Sequence, residues 1–308
     1  MENEIKEIKA IVTMPPYAPY IDEVLKHPRV SGIRLNTVMP KKESYENLLK
    51  RLNEKTRMNN KELWIDLKCR QLRVKNYGVP PFTEILLSHR IKVHTPCKIY
   101  FSDRKESATL LEVNRNRLIM QKGPKRVVGP GESVTIVHPT LKIEGYLTNK
   151  DKRYIEAGNK IGINKYMLSF VEKKQDIDDF GKYNADAEIR LKIESQKGLD
   201  YVINENDNGK LMAARGDLFM QLHWPHLMID AVETILRKDP TAWVASRLFD
   251  SMGENEEPKC EEIGDVDNLL RMGYKTFMFG DEVCLERTSI IGALNLFSIM
   301  AKRYERGK

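Results

Sequence analysis

Eight short runs rich in β-branched and aliphatic residues recur along this chain, separated for the most part by stretches with helical patterning. The runs fall at 9–13, 31–35, 63–67, 165–170, 188–193, 210–214, 241–245 and 274–279. Helical patterning covers 20–27, 42–54, 149–160, 225–237, 264–271 and 289–304. In the second of these, Tyr45, Leu48, Leu49 and Leu52 share one face. Thr148 suits the N-cap of the third. Strands that alternate with helices predict a parallel sheet, and eight strands in this rhythm predict an α/β fold of the (β/α)8 TIM barrel type.

The rhythm breaks once, after the third run. Between 77 and 146 the β-like runs 98–101, 108–113, 117–120 and 133–137 are separated by turn residues at Ser102-Asp103, Asn114–Asn116 and Gly129–Gly131. The predicted organisation is therefore a barrel formed by 1–76 and 147–308, with a small β-rich domain, 77–146, inserted after strand three.

A chain of 308 residues is long enough for one such barrel or for two medium domains. Hydrophobic content of 41% and charged content of 31% are ordinary for a soluble globular protein. The net charge of +7 raises the question of nucleic acid. The densest basic stretch, Arg115, Arg117, Lys122, Lys125 and Arg126, has no interleaved aromatics. A small anionic metabolite accounts for the charge at least as well, and no nucleic-acid partner is expected. Cys69, Cys97, Cys260 and Cys284 are widely spaced and are expected to be reduced. No apolar run approaches the roughly 18 residues of a membrane span. Residues 1–4 are polar and acidic, with no signal-peptide character. No membrane association and a cytoplasmic location are expected. Homo-oligomerisation stays open.

Two of the runs end in charge. Residues 188–193 lead into Glu194 and carry Lys192, and 210–214 lead into Arg215-Gly216-Asp217. A parallel barrel places its chemistry at the C-terminal mouths of its strands. Two carboxylates at neighbouring mouths can hold a hard divalent ion with open positions for substrate oxygens. A lysine between them offers a mobile positive charge to a developing oxyanion. For one strand, solvated charges are the simpler reading. Two adjacent strands, with a glycine beside the acid, favour a site.

Other signals read as structural. His223 and His226 flank Trp224-Pro225 and suit cap and core roles better than a metal pair. Cys69 reads as a packing residue. Gly129-Pro130-Gly131 reads as a turn rather than a phosphate loop, because no strand–turn–helix follows it. Asp265 and Asp267 read as solvated acids at a helix start.

With this order laid out, the chain resembles the pyruvate kinase family along the whole barrel. Ile33-Arg34-Leu35-Asn36 is similar to the family's "ARLNFSHG", and Ile65 through Arg73 to "LDTKGPEIR". Leu147 through Lys152 resembles "LTEKDK", where the chain re-enters the barrel. Lys192 through Gly198 resembles "KIENxEG", and Ala214-Arg215-Gly216-Asp217-Leu218 matches "ARGDLG" up to its last residue. Val244 through Met252 is similar to "CATQMLESM". A β domain inserted after strand three is also the family's arrangement.

The resemblance implies roles at the matching positions. Lys192 would stabilise an enolate and a transferring phosphoryl group. Glu194 and Asp217 would bind Mg²⁺ or Mn²⁺. Arg34 would face a substrate phosphate, and Arg215 would belong to the substrate-binding set. The backbone N–H groups of Gly216 and Asp217 would hold a substrate carboxylate. Ser246 would put a hydroxyl near the face on which the enolate is protonated.

The departures are as informative. Val38 and Leu67 stand where the family has a serine and a threonine that help hold a monovalent cation. Asn36 and Asp66 alone remain of that set, so K⁺ is not expected. Met14-Pro15-Pro16-Tyr17-Ala18 replaces a stretch carrying an arginine for nucleotide phosphates, which leaves ATP and ADP open. Phe219-Met220-Gln221-Leu222 replaces "GVEI", and Phe279 through Val283 replaces "SGETA". The insert is shorter than the family's, and its regulatory C-terminal domain is expected to be missing. The enolate and metal half is retained while the nucleotide and monovalent-cation half is eroded. The expected function is an enzyme that acts on phosphoenolpyruvate, pyruvate or a related 2-oxo acid, by enolate chemistry or phosphoryl transfer. The competing reading is a non-catalytic metabolite-binding or interaction protein that keeps the fold.

Overall fold

The computed structural model describes residues 7–101, 104–204 and 210–305. The expected turn at Ser102-Asp103 and the acidic residues 1–4 lie outside them. Eight strands form a closed parallel barrel: β1 (Lys9–Thr13), β2 (Val30–Asn36), β3 (Glu62–Leu67), β4 (Lys165–Leu168), β5 (Glu188–Ile193), β6 (Leu211–Ala214), β7 (Trp243–Ala245) and β8 (Thr276–Phe279). Each pairs with its successor, and β8 closes on β1 with Thr276 opposite Lys9.

Side-chain alternation sorts each strand into two phases. The outward phase, such as Ala10 and Val12 of β1 or Leu191 and Ile193 of β5, packs into one large core. The inward phase fills the barrel with Ile11, Trp64, Met167, Met212, Trp243 and Met278. Trp64 and Trp243 meet edge to face with centroids 4.8 Å apart, and Arg190 stacks 4.4 Å from Trp243. Further along, that inward phase turns polar, as Arg34 and Asn36 of β2, Asp66 of β3, and Lys192 of β5. The change puts a hydrophobic plug under a charged mouth.

The helices are α1 (Ile21–Lys26), α2 (Tyr45–Met58), α3 (Asn149–Ile161), α4 (Lys174–Gly181), α5 (Gln196–Asn204), α6 (Arg215–Gln221), α7 (Leu227–Lys238), α8 (Cys260–Met272), α9 (Asp281–Cys284) and α10 (Arg287–Glu305). Thr148 caps α3 reciprocally with Asp151, and Gly162 ends it at φ 75°. No helix among the described residues is long and apolar enough to cross a membrane.

The small β-rich part is a five-stranded antiparallel sheet in the order Glu84–Leu86, Arg117–Met120, Glu106–Asn114, Cys97–Phe101, Val134–Thr135. Ile91–Lys92 and Lys142–Ile143 pair beside it. It has its own core, which Leu72 and Val74 already enter.

Three expectations are corrected. The fourth strand stops at Leu168 rather than 170, because Phe170 adopts φ 51° and turns the chain. Helix α8 begins at Cys260, not 264, so Asp265 lies in its second turn rather than at its start, where it pairs with Arg215 while its side chain stays 37% exposed. Asp267 likewise pairs with Arg271 and accepts from Tyr304. His223 and His226 are both exposed, which rules out a core role, and His226 precedes α7 without a side-chain cap bond.

Candidate active site

The charged mouth opens into a cavity of about 890 Å³. Of the residues singled out from sequence, Arg34, Asn36, Lys192, Glu194, Arg215, Gly216, Asp217 and Ser246 all line it. Asp66 lies directly beneath, fully buried.

Asp66 is the electrostatic hub. Its Oδ2 accepts from Arg34 Nε at 2.9 Å and from Lys68 Nζ at 2.6 Å. Lys192 Nζ lies 3.2 Å from its Oδ1. Burial opposes ionisation, but the charges of Arg34, Lys192 and Lys68 outweigh it and hold the Asp66 carboxyl well below the usual range. The same arrangement presses on the cations unequally. For Lys192 burial would lower the pKa, but Asp66 and Glu194 outweigh it and raise it, so the ammonium is secure. For Lys68 burial wins, helped by repulsion from Arg34 and Lys192, and its pKa falls to about 8.

Lys192 Nζ also sits 2.9 Å from Glu194 Oε1 and donates to Ser169 Oγ at 2.9 Å. Glu194 Oε2 accepts the Phe170 N–H at 2.8 Å. Burial pushes the Glu194 carboxyl up, and Asp217 adds repulsion while Lys192 opposes the rise. Asp217, half-buried at the start of α6, accepts from Gln71 Nε2 at 3.1 Å. Beside it a Cβ on Gly216 would stand 3.4 Å from the Cβ and Oγ of Ser246, so the backbone of α6 runs within van der Waals reach of that hydroxyl.

Arg34 has little spare capacity. It donates to Asp66 and to Thr13 Oγ1, and lies 3.5 Å from Asp281. Asn36 Nδ2 donates to Asp281 at 2.7 Å. Arg215 spends its guanidinium on Asp265, at 2.7 Å to both oxygens, and on the carbonyls of Ser246 and Arg247. Both carbonyl-bearing residues hold positive φ, 70° and 57°, so Arg215 braces a strained turn at the mouth of β7.

Sequence reasoning missed several members of this set. Ser169 and Phe170 looked like strand residues, yet they hold Lys192 and Glu194. Gln71 passed unremarked inside a matching motif, and Asp281 drew attention only within a departure from one. Cys69 is buried as expected, and burial drives its thiol pKa well up, so it is unreactive.

Comparison with known proteins agrees with this geometry. The family described as "Pyruvate kinase, barrel domain" matches residues 84–285. A pyruvate kinase of Borreliella burgdorferi is 25% identical over 308 residues, covering 90% of this chain and 63% of its own length. One of Methanocaldococcus jannaschii is 24% identical over 325 residues, covering 98% of this chain and 70% of its own. This chain thus spans under two thirds of the length of the first of these relatives. Among solved structures, the pyruvate kinase of Cryptosporidium parvum superposes with a TM-score of 0.79 at 18% identity, over 97% of this chain and 71% of that one. The match at 84–285 spans most of the chain, and with the barrel, its β-rich companion and the ordered motifs it settles the relationship: this chain belongs to the pyruvate kinase family.

Proposed function

We propose that this chain is an enzyme that acts on pyruvate, phosphoenolpyruvate or a related 2-oxo acid through a stabilised pyruvate-type enolate. One observation carries the reading: Lys192, buried and charged, stands 2.9 Å from Glu194 at the floor of a cavity that Asp217 and Arg34 also line.

The donor set suits Mg²⁺ or Mn²⁺. Glu194 and Asp217 repel one another, and an ion between them would relieve both. Among the described residues no group of three or more His, Cys, Asp or Glu could hold a metal. The ion would therefore rest on these two carboxylates and on substrate oxygens, as a Mg²⁺ site commonly does. When bound, it supplies Lewis-acid stabilisation of the charge that develops on the enolate oxygen.

The protein groups do the rest. Lys192, whose three N–H groups face Asp66, Ser169 and Glu194, would turn one of them to that oxygen, and the two carboxylates keep the ammonium charged. The backbone N–H groups of Gly216 and Asp217 hold the substrate carboxylate. Arg34 and Lys68, both fixed on Asp66, present positive charge to a phosphate. Ser246, held in place by Arg215 through its carbonyl, offers a hydroxyl beside the carbon that is protonated. The altered stretch at 14–18 speaks against ordinary efficiency in phosphoryl transfer to a nucleotide.

No monovalent ion is required in this account. Asp66 is saturated by three cations, Asn36 is engaged by Asp281, and Val38 and Leu67 bring only hydrocarbon. Deuterium exchange at the methyl group of pyruvate tests the function, because it needs neither nucleotide nor phosphoryl transfer.

A further inference from the structure

Two residues that flank the β-rich insert meet behind the active site. Arg70 follows β3, before the chain enters the insert, and Tyr146 follows its last strand. The Arg70 guanidinium stacks 5.1 Å from the Tyr146 ring, and both side chains are buried. Each then grips one of two consecutive carbonyls. Tyr146 Oη donates to the Ser169 carbonyl at 3.0 Å, and Arg70 Nη1 donates to the Phe170 carbonyl at 3.2 Å.

Those two residues are the ones that aim the catalytic pair. Ser169 Oγ accepts from Lys192, and the Phe170 N–H donates to Glu194. Phe170 holds φ 51°, a conformation unfavourable for a bulky side chain, so the segment needs outside bonds to keep its shape. Asp176 completes the grip: Arg70 Nη1 donates to it at 2.8 Å, and it accepts the Glu172 N–H at 2.9 Å. At Arg70 the motif "LDTKGPEIR" has proline, which cannot make any of these bonds.

We propose that Arg70 and Tyr146 are positioning residues, a clamp that sets Lys192 and Glu194 through the Ser169–Phe170 backbone and so ties metal affinity to the seating of the insert. The metal part rests on the function proposed above; the clamp itself does not. Outer partners of this kind typically change metal affinity by about ten-fold or more when lost.

The test compares Tyr146→Phe with Tyr274→Phe. Both remove one buried hydroxyl that donates to a backbone carbonyl, and Tyr274 donates to Val232, away from the site. Two quantities are read: amide hydrogen exchange of the segment 167–172 by mass spectrometry, and Mn²⁺ affinity by calorimetric titration. Tyr146→Phe is expected to speed exchange in that segment and to weaken Mn²⁺ about ten-fold. Tyr274→Phe, with a similar loss of stability, should change neither. Unchanged exchange in Tyr146→Phe overturns the clamp. Faster exchange with unchanged Mn²⁺ affinity overturns its link to the metal. If the wild type binds no Mn²⁺, the metal reading fails, and faster exchange in Tyr146→Phe alone still upholds the clamp.

Discussion

Lys192 Nζ lies 2.9 Å from Glu194 Oε1, although the two side chains leave the same strand end two residues apart. Lys192 belongs to the inward phase of β5 and Glu194 follows one residue past the strand's end, with Leu191 and Ile193 turned to the outer core. The pair shows how a barrel strand spends one face on stability and the other on chemistry. It also fixes what each loss should do. Lys192→Met keeps the length of the stem but leaves Glu194 without its cation. It should remove about 100-fold or more of any enolate formation. It should also cost about 3 kcal/mol of stability, measured by denaturant unfolding, because a buried partner is stranded.

The metal assignment predicts that Asp217→Ala weakens Mn²⁺ or Mg²⁺ binding at least about ten-fold, with little effect on folding, since Asp217 is half-buried and its hydrogen bond is to the Gln71 side chain. Calorimetric titration of both proteins measures this. Equal affinities contradict the assignment.

Lys68 makes a pH-dependent prediction. Its pKa is about 8 in the folded protein, below the ordinary lysine value of 10.5. Between those values the unfolded chain binds more protons than the folded one, so this group's contribution to stability rises with pH across the window. Relative to Lys68→Met, the wild type should gain on the order of 3 kcal/mol from pH 7.5 to pH 10.5. A dianionic ligand beside Lys68 should restore its proton, so binding near pH 8.5 takes up protons. Titration in buffers of different ionisation enthalpy reads that uptake. A stability difference that is flat with pH contradicts the burial argument.

Any activity should be indifferent to K⁺. Rates in sodium, potassium and tetramethylammonium salts at equal ionic strength are expected to agree within about two-fold. A saturable activation by K⁺ alone would mean that Asn36 and Asp66 still bind the ion and that their present partners move aside.

Much of this was legible from the chain. Lys192, Glu194 and Asp217 were legible as charges at the ends of two neighbouring strands, while Arg34, Asn36 and Asp66 were legible only through the resemblance of the ordered motifs. What stayed hidden are contacts between segments distant in sequence. Arg215 with Asp265 joins α6 to α8, and Asn36 with Asp281 joins β2 to α9. Ser169 and Phe170 were hidden for a different reason. Their hydrophobic run continues that of β4, while positive φ at Phe170 breaks the strand, and such a turn has no reliable signature in a non-glycine residue. The first turn of α8, Cys260-Glu261-Glu262-Ile263, is too polar to show helical patterning, and Glu262 anchors it by accepting the Lys259 N–H at 3.0 Å.

The central claim is that Lys192 and a divalent ion at Glu194 and Asp217 stabilise a pyruvate-type enolate. Deuterium exchange at the pyruvate methyl group, followed by proton NMR in heavy water, addresses it without nucleotide or phosphoryl donor. The account predicts exchange that requires Mg²⁺ or Mn²⁺, stops on chelation, and is lost in Lys192→Met. No exchange by the wild type with saturating divalent ion, or exchange of equal rate in Lys192→Met, would contradict it and leave a metabolite-binding member of the family.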